Sequence, residues 1–442
     1  MSKDASLQKS FSALLNESFE QAKTESQAGK PFVLGSGFEN NLFLPTINTT
    51  MKMLGVSNPL LTGIAASEEN YALPLDIKRS SRHKLTSTGV GFPSSKKFIA
   101  WLSKVLDQTF SAESVISEST MSEAFQVNSN ANAWYSVINH SEDLCEASRN
   151  ESMTQFKPLL RFLMARCEAD IVMQQQVNKT LLSKEFDNEN LACRLSLQDT
   201  LWLTHSNLDN TVWLKFTALL IENATNKLED KQQILDVAKC IVSLQLDFYL
   251  EAIAHYEVGC MLTMHADKSE LTKPNGVLTR GLLFYADGNG KVKNCFDGFL
   301  HELKRAYTIK LGKVSWRRLA RYIEIDEDEN AASGDSLEDK QYARLKKWRN
   351  GDGSISNDKL LNFFTNLVGE DDLDCLRLLY SYARIAIGLD KLFAELTIQY
   401  KDKAYSADEF NTIYRDVLAQ HPEYYLRCVK RELAMVTADE TQ

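Results

Sequence analysis

The chain has 442 residues, of which 44% are hydrophobic and 25% charged, with a formal net charge of −9. This length and apolar content suit roughly two to four packed domains and exclude a wholly disordered polypeptide. The acidic balance excludes a surface that is basic throughout, while leaving room for one locally basic face.

Only 8 Pro and 19 Gly are present, so few residues punctuate strands and tight turns, and the expectation is an all-α protein. The opening MSKDASLQKSFSALLNESFEQ interrupts its apolar positions with charge, unlike a secretion signal. The most apolar windows, CIVSLQLDFYL and TALLI, fall well short of the ~18 residues of a membrane span. The 8 cysteines (Cys145, Cys167, Cys193, Cys240, Cys260, Cys295, Cys375 and Cys428) form no CxxC pair and no zinc-finger spacing. They are expected to be buried reduced thiols of a soluble, cytoplasmic protein with no membrane partner.

In chain order, apolar residues at helical spacing over 4–29 (Leu7, Phe11, Leu14, Leu15, Phe19, Ala22) predict a first helix ending at AGKP. Residues 31–93 hold much of the proline and are rich in Gly, Asn, Ser and Thr, so they are expected to be irregular around a short helix at 60–69. KKFIAWLSKVLDQTF at 96–110 is an amphipathic helix with Ser94 and Ser95 as cap candidates, followed by short helices and loops over 111–150. Helical periodicity returns at 156–186, at 195–226 and along 228–265. No fixed repeat emerges.

LLFYADGNGKVKNC at 282–295 has β-favouring flanks around Asp287-Gly288-Asn289-Gly290 and predicts, at most, a small hairpin. Beyond it, helices are expected at 296–311, 315–325, 336–350, 357–368, 371–400, 407–420 and 422–436. The implied organisation is a mixed region at 1–150, a long-helix bundle at 151–281, a segment at 296–370 and terminal helices at 371–442. The whole is a multi-helix bundle or helical array.

Candidate sites thin out under chemical scrutiny. Asp287-Gly-Asn289-Gly-Lys291 places a cation where a calcium loop needs oxygen, and Asp326-Glu-Asp328-Glu-Asn330 lacks the turn glycine and the closing glutamate. VLGSGFEN and STGVGFPSSKK match neither phosphate-loop pattern, and no Gly-x-Ser-x-Gly elbow occurs. Asp247, Glu251 and His255 fall at i, i+4 and i+8, which stacks them on one helical stripe; a polar helix surface is the ordinary meaning and a metal or acid–base site the sharper one. No enzyme, metal or cofactor is expected.

One charged stretch stands out: SWRRLARYIEIDEDENAASGDSLEDKQYARLKKWRNG, residues 315–351. Its first helix sets Trp316, Leu319 and Ala320 inward, with Arg317, Arg318 and Arg321 toward solvent. Its second sets Tyr342, Leu345 and Trp348 inward at three-residue intervals, leaving Lys340, Arg344, Lys346, Lys347 and Arg349 to project elsewhere. A turn, GDGSIS, then leads to NDKLLNFFTNLVG with Ser356 as its cap.

LKKWRNGDGSISNDKLLNFFTNL resembles the second half of lambda-repressor-like helix-turn-helix domains, and SWRRLARYI, with its Leu319-Ala320 pair, resembles the helix before the turn. The resemblance spans residues 304–369 and departs from the family in one respect: an acidic loop at 326–336 lengthens a turn that the family keeps short. It implies a recognition helix with contacts near 339–344 and phosphate contacts from flanking cations. The expected function is therefore binding of double-stranded DNA, of the transcription-regulator kind, through Arg317, Arg318, Arg321, Lys340, Arg344, Lys346, Lys347 and Arg349. The alternative is a helical scaffold acting through a protein partner or a second copy of itself. Folded over the basic face, the acidic loop would compete with phosphate.

Overall fold

The computed structural model describes residues 42–54, 155–183, 191–225, 229–264, 268–287, 291–325, 336–353, 355–369, 371–399 and 405–439, most of 129–138, and isolated positions at 93, 97, 120, 123 and 124. The helices expected at 4–29 and 60–69, most of that at 96–110, the glycine motifs and the acidic loop lie outside these residues. Among the described residues there is no strand, and the protein is all-α. In chain order the helices are α1 (Ile47–Met53), α2 (Lys157–Ser183), α3 (Leu191–His205), α4 (Asn210–Thr225), α5 (Lys231–Thr263), α6 (Lys268–Leu271) and α7 (Val277–Ala286). They continue with α8 (Cys295–Leu311), α9 (Trp316–Ala320), α10 (Leu337–Asn350), α11 (Asn357–Val368), α12 (Leu373–Gln399), α13 (Ala407–Leu418) and α14 (His421–Asp439). None of them is long and apolar enough to cross a membrane.

The chain divides into two compact units, one of Met1–Lys52, Val56–Met153 and Leu160–Ser206, the other of Met53–Gly55, Thr154–Leu159 and Asn207–Gln442. In the first, Phe43, Leu44, Tyr135, Phe162 and Trp202 are buried together with Arg166. The Arg166 guanidinium lies 4.3 Å above the Phe43 ring, the way a cation enters an apolar core at tolerable cost. Loop carbonyls are satisfied from side chains: Asn130 donates to the Leu44 carbonyl at 2.8 Å and Trp134 to that of Pro45 at 2.8 Å.

The second unit is built on α5, a helix of 33 residues and so ~50 Å long at 1.5 Å per residue. Asp230 caps its start, accepting from the Gln232 N–H at 3.3 Å. One continuous apolar core joins α5 to α7, α8 and α10 through α14. Two helix starts are held by carboxylates from elsewhere, which answers the orphan N–H groups of a first turn. Glu257 of α5 accepts from the Leu278 and Thr279 N–H groups of α7, and Asp390 of α12 accepts from Cys295 N–H at 2.7 Å and Phe296 N–H at 3.0 Å at the start of α8. Burial, only partly offset by those two donors, raises the Asp390 carboxyl to about 7.

Helices α7 and α8 cross backbone to backbone at Gly281 and Gly298; a Cβ on Gly281 would sit 2.7 Å from the Phe299 Cα. A side chain there would force the helices apart.

Three expectations change. The run at 195–226 is two helices, because Asn207 gives its amide to Glu251 and its carbonyl to Arg427, while Asp209 accepts from Thr211 N–H at 2.9 Å and starts α4. The first flank of the hairpin expected at 282–295 is helical: Leu278, Leu282 and Tyr285 are buried at helical spacing on α7, and that packing overrides β propensity. The helix expected at 315–325 stops at Ala320, where Gln341 of α10 donates to the carbonyls of Arg321 (3.1 Å) and Ile323 (2.8 Å) and takes over from a further helical turn. No disulfide joins the described cysteines.

Candidate nucleic-acid interface

The charged stretch folds as α9, α10 and α11 against α8. Ser336 caps α10 through the Asp339 N–H at 3.2 Å, and Gly351, at φ 74°, ends it. That left-handed residue closes the helix with bonds from Gly351 N–H to the Trp348 carbonyl and from Asp352 N–H to the Lys347 carbonyl, and its lack of a Cβ is what makes the turn cheap. Ser356 caps α11. Leu345 and Trp348 are buried, joined by Gln341, and Tyr342 is half-buried.

The eight cations named from sequence separate into three groups. Arg349 is committed to the fold: its guanidinium donates to Asp297 at 2.6 Å, lies 3.7 Å above the Trp316 ring and is 3.1 Å from His301 Nε2. Its side chain is 19% exposed, and Asp297 is fully buried. Arginine has no acceptor, so His301 Nε2 accepts and that imidazole is neutral. Its burial, opposed by Asp297 and reinforced by the Arg349 charge, holds His301 below the ordinary histidine range.

Arg317 and Arg321 form the second group. Arg317 pairs with Asp339 at 2.8 Å and stacks over Tyr342, and Arg321 pairs with Glu338 at 3.3 Å. The Ser336 hydroxyl first, and Arg317 second, hold the Asp339 carboxyl below its usual range. These pairs stitch α9 to the acidic first turn of α10, and acid there also suits the helix dipole.

The third group is Arg318, Lys340, Arg344, Lys346 and Lys347. At 100° per residue, Tyr342 and Arg349 fall on the flank of α10 that touches α9. Lys340, Arg344 and Lys347, at i, i+4 and i+7, share the opposite flank. Lys346 and Lys347 are exposed, as is Arg318 on α9, while Lys340 and Arg344 are half-buried.

The polar stripe on α5 has a different setting. Asp247, Glu251 and His255 are buried, at 0%, 3% and 1% exposure, instead of forming a solvated face. Asp247 accepts from the Tyr424 hydroxyl at 2.9 Å, Glu251 accepts from Asn207, and His255 Nδ1 lies 3.2 Å from Cys428 Sγ. The stripe does not converge on one point: Asp247 turns to Tyr424 and Glu251 to Asn207, while Arg431 lies beside both Glu251 and His255. The partners on α14 were missed from sequence, where only the four-residue spacing of Cys428 and Glu432 hinted at a shared face.

Comparison with protein-family models, with curated proteins and with solved structures finds no match for this chain.

Proposed function

We propose that the protein binds double-stranded DNA through α10 and its flanks, with Lys340, Arg344 and Lys347 facing the phosphate backbone and Arg318 and Lys346 adding outlying contacts. The observation that carries this reading is the division of labour on α10: one flank and the first turn are tied to α8 and α9 by Arg349, Arg317 and Arg321, which fixes the helix. The opposite flank carries Lys340, Arg344 and Lys347, the first two half-buried and the third exposed. A fixed helix presenting cations along one flank favours binding, since the ordering cost is met in advance. Regulation of transcription is the role this binding would serve. The pairing of Arg317 and Arg321 with acids of α10 favours a second reading, a helical scaffold whose partner is another protein.

Fluorescence polarisation on a mixed-sequence duplex distinguishes them. Three to five phosphate contacts give a log–log salt slope of about −3 to −4.5, and Arg344→Ala with Lys347→Ala flattens it by about 2. Absence of duplex binding at low salt rejects the DNA reading and leaves the scaffold.

A further inference from the structure

The geometry points to a transition-metal site of the zinc class between α5 and α14, held by His255 Nδ1, Cys428 Sγ and the Glu432 carboxylate. One ligand atom from each of these residues lies within 4.8 Å of the other two, and all three residues are buried. Cys428 and Glu432 are one helical turn apart on α14, so they face α5 together, and His255 meets them from the stripe on that helix.

The separation between Cys428 and His255 suits a metal. Zinc bonds of about 2.3 Å to sulfur and 2.0–2.1 Å to nitrogen, at a tetrahedral angle, put the two ligand atoms about 3.6 Å apart. Cys428 Sγ and His255 Nδ1 are 3.2 Å apart, so a shift of a few tenths of an ångström accommodates the ion. Thiolate, carboxylate and neutral imidazole together carry the two negative charges that a divalent cation needs inside a core. Three protein ligands leave a fourth position for water or another donor.

The outer groups are also in place. His255 Nε2 is 3.8 Å from Glu251 and 3.4 Å from Arg431, and Arg431 is 3.7 Å from Glu251. Without metal, Arg431 donates to Nε2 and the ring proton sits on Nδ1, facing the thiol. On metal binding the Cys428 thiol loses its proton to solvent, the ring proton moves from Nδ1 to Nε2, and the Nε2–H turns to Glu251, as metal-bound histidines orient toward a carboxylate.

The test is titration of the metal-stripped full chain with Co2+. One equivalent is expected to bind, with a thiolate-to-cobalt charge-transfer absorption that Zn2+ abolishes. Cys428→Ser removes that absorption, Glu432→Gln weakens binding, Glu251→Gln weakens it about 10–100-fold as loss of an orienting partner does, and Cys375→Ser changes nothing. Circular dichroism checks that each variant is folded. A wild-type chain that binds no stoichiometric Co2+, or that binds it without the thiolate band, overturns the proposal whatever the variants do.

Discussion

Two helices of the second unit carry charged residues along one helical stripe and use them differently. On α5, Asp247, Glu251 and His255 are in the core, each bonded across to another element. On α10, the basic run from Lys340 to Arg349 is partitioned: Arg349 is drawn in over the Trp316 ring, while Lys346 and Lys347 stay in solvent. Spacing alone makes both stripes look like solvated faces. What separates them is the surrounding helix packing, which encloses α5 and leaves one side of α10 open. Enclosed charge acts as architecture, because losing its partner leaves a desolvated ion; open charge is available to a ligand.

The sharpest way to break that distinction is Arg349→Ala. It removes the ion partner of a fully buried Asp297 and the ring contact with Trp316. The expected loss is about 3–5 kcal/mol of stability, read from the urea unfolding midpoint. A variant as stable as the wild type would move Arg349 into the open group and make it a ligand-facing cation after all.

Asp390 tests enclosed charge through pH. Its carboxyl is raised to about 7 in the folded chain, chiefly by burial, against an ordinary 3.8. The native state therefore holds a proton that the unfolded chain has already lost between those values, so this contribution is complete below about pH 3.8 and is lost as pH rises toward 7. The slope is at most about 1.4 kcal/mol per pH unit. Unfolding free energies measured from about pH 4.5 to 7.5 should fall less steeply in Asp390→Asn than in the wild type, because the amide has no proton to lose. Parallel profiles would mean that the carboxyl titrates normally, as an open group does.

The sequence exposes the fold wherever local chemistry decides it. Ser356 and Gly369 bracket α11 at 357–368, and Ser336 and Gly351 bracket α10, since caps and left-handed glycines are written in single residues. It hides the fold where distant partners decide. The break before α4 depends on Glu251 and Arg427, and α7 depends on burial against α8, so LLFYA reads as strand when taken alone. The candidate interface is half legible: composition finds the cations, and only the positions of Asp297, Trp316, Asp339 and Glu338 show that Arg349, Arg317 and Arg321 are tied into the fold. The His255, Cys428 and Glu432 group is the least legible, because its members meet across more than 170 intervening residues, His255 to Cys428 being 173 apart.

The smallest expected effect falls at the boundary between the two kinds of charge. Arg317 is half exposed and pairs with an equally exposed Asp339, so water and salt screen the bond and each side chain loses freedom in making it. Arg317→Ala should leave the unfolding midpoint almost unmoved. Its value lies in a second readout on the same protein. If Arg317 only steadies α10, duplex affinity drops slightly and the salt slope stays as it was, because no phosphate contact has gone. A slope flatter by about 1 would show that Arg317 lets go of Asp339 and reaches the phosphate itself, placing α9 as well as α10 at the interface.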